Sequence, residues 1–147
     1  MPPTILIADG LVMYAEALRS LLSPAYQTVG IASTGQELTE LAIRHKPSLI
    51  LTDVAVPPLD GLEALRTLAK IGLDSKFIIL TAHREVSLAV AAFRAGASAF
   101  LLKTIRRDEF LQALKVVRGG GFYLSSEFPC DLATVLAESA RAPAVEG

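Results

Sequence analysis

Ser48-Leu49-Ile50-Leu51-Thr52-Asp53 is a short apolar run that stops on a carboxylate. A run this hydrophobic, with no polar alternation, reads as a strand covered on both faces, which is the habit of parallel sheets. Three similar runs surround it: Thr4-Ile5-Leu6-Ile7-Ala8 before Asp9, Phe77-Ile78-Ile79-Leu80 before Thr81, and Ala99-Phe100-Leu101-Leu102 before Lys103. In a doubly wound sheet the carboxyl ends of the strands open onto one crevice, so this spacing can gather two carboxylates, a hydroxyl and an ammonium. That set suits Mg²⁺ and phosphoryl chemistry.

Read outward from there, strands are predicted over 4–9, 26–32, 48–53, 76–81 and 98–103. The stretches between them carry the i, i+3, i+4 apolar spacing of helices with one buried face. These helices are predicted over 12–22 (Ala15, Leu18, Leu22), 36–45 (Leu38, Leu41, Ala42), 62–71 (Leu62, Leu65, Ala69), 86–95 (Val86, Val90, Phe93) and 108–118 (Leu111, Leu114, Val117). Thr34-x-x-Glu37 and Asp60-x-x-Glu63 have the spacing of capping boxes. Pro47, Pro57 and Pro58 fall in connections. Gly96 and Gly72 are placed to end helices in the left-handed conformation. The predicted fold is α/β, a flavodoxin-like (βα)₅ doubly wound parallel sheet with helices on both faces.

At 147 residues and 52% hydrophobic, the chain can bury one core without disulfides, and its single cysteine, Cys130, fits a reducing compartment. No run reaches membrane-spanning length and no signal peptide opens the chain, so a cytoplasmic protein with no membrane association is expected. Its 14 basic residues nearly balance 15 acidic ones for a net charge of −1. With no basic cluster, this chain itself is not expected to contact nucleic acid.

Leu6-Ile7-Ala8-Asp9, Leu51-Thr52-Asp53-Val54-Ala55-Val56-Pro57-Pro58-Leu59-Asp60-Gly61, Ile79-Leu80-Thr81-Ala82 and Ala99-Phe100-Leu101-Leu102-Lys103 resemble, in order, the motifs of response-regulator receiver domains of two-component signalling. The resemblance spans residues 4–118. Gly121-Phe122-Tyr123-Leu124-Ser125 further resembles the end of receivers of the NarL/FixJ (LuxR-type) class, where a linker and a DNA-binding helix-turn-helix follow. The resemblance implies the strand order 2-1-3-4-5.

By this resemblance Asp53 is the phosphorylation site, a nucleophile that accepts a phosphoryl group from a sensor histidine kinase. Thr81 and Lys103 would hold the transferring oxygens, as would N–H groups of Val54, Ala55 and Ala82. Thr81 and Phe100 would form the switch, the threonine moving inward and freeing room for the ring. Asp9, Asp53 and the Ala55 carbonyl would bind Mg²⁺. The family pattern after the first strand is an acidic pair, and here it reads Asp9-Gly10, which implies weaker metal binding, with water in place of the missing carboxylate. The chain is then no enzyme in its own right but a signalling domain that forms a homodimer on phosphorylation and controls output, transcription through a DNA-binding domain absent from it.

Blander readings stand beside these. A lone aspartate at a strand end is often a turn former, which applies to Asp9 and Asp60. Lys103 alone would read as a surface lysine and Thr81 as a strand threonine. Phe100 alone would read as core. His45 reads as an exposed helix-end residue, and His83 equally as a group flanking the phosphoryl site or as a solvated loop histidine. Gly119-Gly120-Gly121 lacks the Lys-Ser/Thr of a phosphate loop and reads as a helix exit. The domain is expected over 1–121, with 122–147 a C-terminal tail holding a short helix over 131–139 and a linker-like end. Either a longer transcription regulator or a stand-alone receiver fits this tail. The alternative function is a phosphorylation-independent pseudo-receiver that serves as a dimerisation or docking module. A flavodoxin-like FMN carrier would need a Ser/Thr/Gly-rich loop after the first strand, which is missing.

Overall fold

The computed structural model describes residues 2–55 and 61–141. Pro57, Pro58 and Asp60, and the second capping box with it, lie outside the described residues. Strands and helices alternate as β1 (Thr4–Ala8), α1 (Val12–Leu22), β2 (Gln27–Ala32), α2 (Gly35–His45), β3 (Leu49–Thr52), α3 (Gly61–Lys70), β4 (Lys76–Thr81), α4 (Val86–Ala95), β5 (Ala97–Leu102) and α5 (Arg107–Arg118), followed by β6 (Tyr123–Leu124) and α6 (Leu132–Ala140). All strand pairs are parallel, in the order β2-β1-β3-β4-β5-β6.

The order 2-1-3-4-5 holds, and the correction to five strands is a sixth. β6 pairs Tyr123 and Leu124 with Ala99 and Phe100 of β5. A ladder this short, just after three glycines, presents no run of alternating or apolar residues from which a strand could be predicted.

The sheet is apolar on both sides because both are covered. Ile5, Ile7, Leu49, Leu51, Ile78, Leu80 and Leu101 pack with Ala15, Leu18 and Leu22 of α1 and Phe110, Leu114 and Val117 of α5. Leu6, Ile50, Phe77, Ile79 and Phe100 pack on the opposite side with residues of α2, α3 and α4. Two helix faces differ from expectation. α3 buries Leu62, Ala64, Leu65 and Leu68 and leaves Ala69 exposed. α4 buries Ala89, Ala92 and Phe93, while Val86 is exposed. Short alanines at the buried stripe let α4 sit close to β5 on one side and α6 on the other.

Caps follow the predicted punctuation with one shift. The Glu37 N–H donates to Thr34 Oγ1 at 3.1 Å, but the Glu37 carboxylate accepts from the Ser33 N–H and hydroxyl, one residue earlier than a capping box would have it. Gly96 ends α4 at φ 116° and Gly72 follows α3 at φ 76°. In the tail, the Thr134 N–H donates to the Asp131 carboxylate at 2.8 Å and caps α6. Val135 of α6 and Phe128 before it are buried in the core on the α4 side, and Arg94 of α4 donates to the Glu138 carbonyl at 3.1 Å. Cys130 is half-buried against the same core.

Candidate functional site

β1, β3, β4 and β5 are adjacent and parallel, so their carboxyl ends form one edge. Three of the four singled-out residues lie one step beyond the strands, yet the backbone ladder continues to them. The N–H groups of Asp9, Asp53 and Lys103 donate to Ala32 O, Ala8 O and Thr81 O at 3.0, 3.1 and 2.8 Å. Each side chain therefore leaves the sheet from a fixed backbone, the condition for a preorganised site.

Lys103 joins the set. Its ammonium lies 2.7 Å from Asp53 Oδ2 and 2.8 Å from Asp9 Oδ2, with side-chain exposures of 19% for Lys103, 11% for Asp53 and 6% for Asp9. Ion pairs shielded to this degree are stronger than those on an open surface, and losing one partner leaves a costly unpaired charge. The other oxygen of each carboxylate is also engaged. Asp9 Oδ1 accepts from the Leu11 N–H at 2.8 Å, and Asp53 Oδ1 from the Ala55 N–H at 3.2 Å. Burial works against the Lys103 ammonium, but its hydrogen bonds to Asp53 and Asp9 outweigh that and raise its pKa above the ordinary lysine value. The ammonium stays charged throughout the neutral range.

Thr81 is fully buried at the end of β4, and its hydroxyl oxygen accepts from the His83 N–H at 3.3 Å. Phe100, also fully buried, is paired with Ile79, two residues before Thr81, so ring and hydroxyl occupy the same side of the sheet. The Phe100 ring meets Phe128 edge-on at 5.5 Å between centroids. His83 is half-exposed, with Nδ1 3.6 Å from Glu85, and shares with Val54, Ala55 and Leu62 a shallow depression of about 500 Å³ beside Asp53. His45 is exposed in the last turn of α2. The larger cavity, about 720 Å³, opens at the far edge of the sheet around Pro47, Ile71 and Asp74, away from this chemistry.

A model of the response regulator receiver domain matches residues 5–115. The chain belongs to the response regulator receiver domain family. The receiver is 34% identical over 143 residues, 96% of its length, to the nitrate/nitrite response regulator protein NarL of Escherichia coli (strain K12). It is 32% identical over 122 residues, 82% of its length, to the transcriptional regulatory protein DegU of Brevibacillus brevis. It spans only 64% and 52% of those two relatives. Among solved structures, a two-component response regulator of the LuxR family from Aurantimonas sp. SI85-9A1 superposes with a TM-score of 0.83 at 26% identity, covering 94% of the receiver and 97% of that chain. The signal receiver domain of the putative response regulator NarL from Mycobacterium tuberculosis gives 0.77 at 26% identity, covering 81% and 98%. This is a receiver of the NarL/LuxR type, and none of its described helices is long and apolar enough to cross a membrane.

Three contributors to the site were not singled out from sequence. Tyr14 of α1 places its ring 4.4 Å from the Lys103 ammonium, and an aromatic in a first helical turn reads simply as core. The Leu11 backbone N–H carries no side-chain signal at all. Gly61 was legible only as a letter of a motif. A Cβ there would strike the Asp53 carbonyl oxygen, while its N–H donates to Val54 O at 2.8 Å, so the start of α3 is seated directly against the backbone of Asp53 and Val54.

The oxygen donors fit a hard divalent cation. Among the described residues no group of three or more His, Cys, Asp or Glu gathers. Mg²⁺ is commonly held by one or two carboxylates with waters and phosphate oxygens completing an octahedron, and Asp9 and Asp53 supply that number.

Proposed function

We propose that this receiver accepts a phosphoryl group on Asp53 from the phosphohistidine of a sensor kinase and changes conformation to control an output. The observation that carries the reading is the Lys103 ammonium held between the Asp53 and Asp9 carboxylates at 2.7 and 2.8 Å. A cation fixed at the acceptor is what an attacking carboxylate and an incoming anionic phosphoryl group both require. In the transfer an Asp53 oxygen forms the new O–P bond as the N–P bond of the donor breaks, and the electron pair of that bond returns to the donor's imidazole ring. Lys103 then follows the phosphoryl oxygens, and the Thr81 hydroxyl turns toward them, with Phe100 beneath as the second half of the switch. Receivers typically bind Mg²⁺ at this place; here Asp9, Asp53 and the Ala55 carbonyl would hold it, and its chemistry is to neutralise charge on the transferring oxygens.

The exposed apolar residues Leu11, Val12 and Met13 flank the acceptor, a surface better suited to a protein donor than to a small anion. As a signalling module in the cytoplasm, the receiver is read as residues 1–121, with 122–147 leading toward output. Because the longer relative DegU is a transcriptional regulatory protein, output is read as transcription through a DNA-binding domain, with a phosphorylation-dependent homodimer as the active form.

Incubation with acetyl phosphate and Mg²⁺, followed by intact-mass spectrometry, tests this directly. One phosphoryl adduct is expected, absent in Asp53→Asn. An unlabelled wild type at saturating donor and metal would favour a phosphorylation-independent docking module, and equal labelling of Asp53→Asn would place the acceptor elsewhere.

A further inference from the structure

The Lys103 ammonium has three N–H donors on a flexible four-carbon stem. Two point at Asp9 Oδ2 and Asp53 Oδ2. The remaining side is faced by the Tyr14 ring, whose centroid lies 4.4 Å from Nζ, well inside the range of a cation–π contact. Tyr14 is half-buried, and Lys103 keeps only 19% of its side chain exposed, so the contact is made largely out of water, where it is strongest.

The anchoring of the ring completes the geometry. Tyr14 lies in the first turn of α1, and the residue before that helix, Leu11, donates its N–H to the same Asp9 carboxylate that Lys103 holds. Helix start, carboxylate, ammonium and ring thus form one closed circuit around the acceptor. We propose that Tyr14 is a positioning residue for phosphoryl transfer, its ring face holding the Lys103 ammonium over Asp53.

The inference rests on the reading of Asp53 as acceptor and adds a residue to it. Without the ring, two carboxylates on one side and open solvent on the other leave the lysine free to sample rotamers that point away from Asp53. Each such rotamer lacks the cation where negative charge gathers during transfer, and the rate falls with the population lost. The hydroxyl has no part in this, which separates Tyr14 from a general acid.

The test measures the rate of acetyl phosphate-driven labelling at Asp53 in the full chain. Tyr14→Leu should slow it by about 2- to 30-fold, the range such a contact supports, and Tyr14→Phe should recover most of the loss. Pentafluorophenylalanine at position 14 keeps the ring's shape and removes its negative face, so it should behave like leucine even if Tyr14→Leu does not fold. In a Lys103→Met background, Tyr14→Leu should cost nothing further. An equal cost in both backgrounds would reduce Tyr14 to ordinary packing and overturn the proposal. Labelling of the wild type at a rate that Tyr14→Leu and the fluorinated ring leave unchanged would overturn the role of Tyr14 alone. No labelling of the wild type would overturn the acceptor reading and the role of Tyr14 together.

Discussion

Around Asp53, single atoms decide what the site can bind. Asp9 has both oxygens engaged, Oδ1 by the Leu11 N–H and Oδ2 by Lys103, and glycine at position 10 offers no further carboxylate. Positive φ among the described residues falls on Gly72, Gly96, Gly120 and Lys46, so the backbone at position 10 does not demand glycine. Gly10→Asp should therefore be accommodated and should tighten Mg²⁺ binding by roughly tenfold, measured by titration calorimetry, and speed phosphorylation at limiting metal. In metal-free buffer the same change should lower the unfolding midpoint, because a third carboxylate joins two that share one ammonium. Metal affinity left unchanged would show that the cation does not use this edge. At Gly61 the demand is steric. Gly61→Ala should destabilise the receiver by roughly 1–3 kcal/mol in urea unfolding, since the new methyl group meets the Asp53 carbonyl and one of them must shift. The same shift moves Asp53, so labelling at the proposed acceptor should slow as well.

At the scale of elements, the tail is fastened to α5 by one glutamate. The Glu109 carboxylate accepts from the Tyr123 hydroxyl at 2.8 Å, the Ser126 N–H at 2.8 Å and the Ser126 hydroxyl at 3.0 Å. Burial alone would raise the Glu109 pKa, but these hydrogen bonds outweigh it and hold the group below the ordinary glutamate value. A depressed folded pKa means that the contribution is complete above the unfolded value and is lost as pH falls through the folded one, from about pH 4.3 downward. Tyr123 behaves oppositely. Burial, then the bond to Glu109, pushes its phenol up to about 12, so its contribution is complete below the unfolded value and is lost as pH rises toward 12. Tyr123→Phe should remove the alkaline part of this dependence and Glu109→Gln the acid part, read as unfolding midpoint against pH. Unaltered slopes in both variants would show that the tail is held by packing alone. None of this was legible beforehand, for a physical reason. The first five strands and helices announce themselves by period, and Asp9, Asp53, Thr81 and Lys103 by ending apolar runs. β6 has two paired residues, and the partners of Glu109 lie 14 and 17 positions away, a separation that no local pattern encodes. The inward alanines of α4 escaped for a related reason, since their value lies in the close approach of α6, which only tertiary packing defines.

For the whole molecule, the consequence of that packing falls on the output surface. Thr81 and Phe100 lie beneath the surface of α4 and β5, which phosphorylation is expected to reorganise; there β6 lies beside β5, and α6 lies against α4 with Val135 fully buried. The Phe128 ring at the head of this segment contacts Phe100, and Ser125 accepts from the Leu102 N–H at 2.8 Å while its own N–H donates to Phe100 O at 3.1 Å. Any inward movement of Thr81 that lets Phe100 turn therefore disturbs the seat of Phe128 before it reaches solvent. Beryllofluoride, a phosphoryl mimic, should accordingly do two things at once: strengthen self-association in sedimentation, by a coupling of roughly 1–3 kcal/mol, and lower hydrogen-exchange protection over residues 128–140. Phe100→Ala should uncouple them, leaving adduct formation at Asp53 while erasing the difference between the two states, at a stability cost of roughly 3–5 kcal/mol for the lost ring. Phe128→Ala removes the same contact from the other side and should loosen α6 without the mimic. Association and protection that are identical with and without beryllofluoride would sink the dimer switch and assign the tail a fixed structural role, with output passing through some other surface of the receiver.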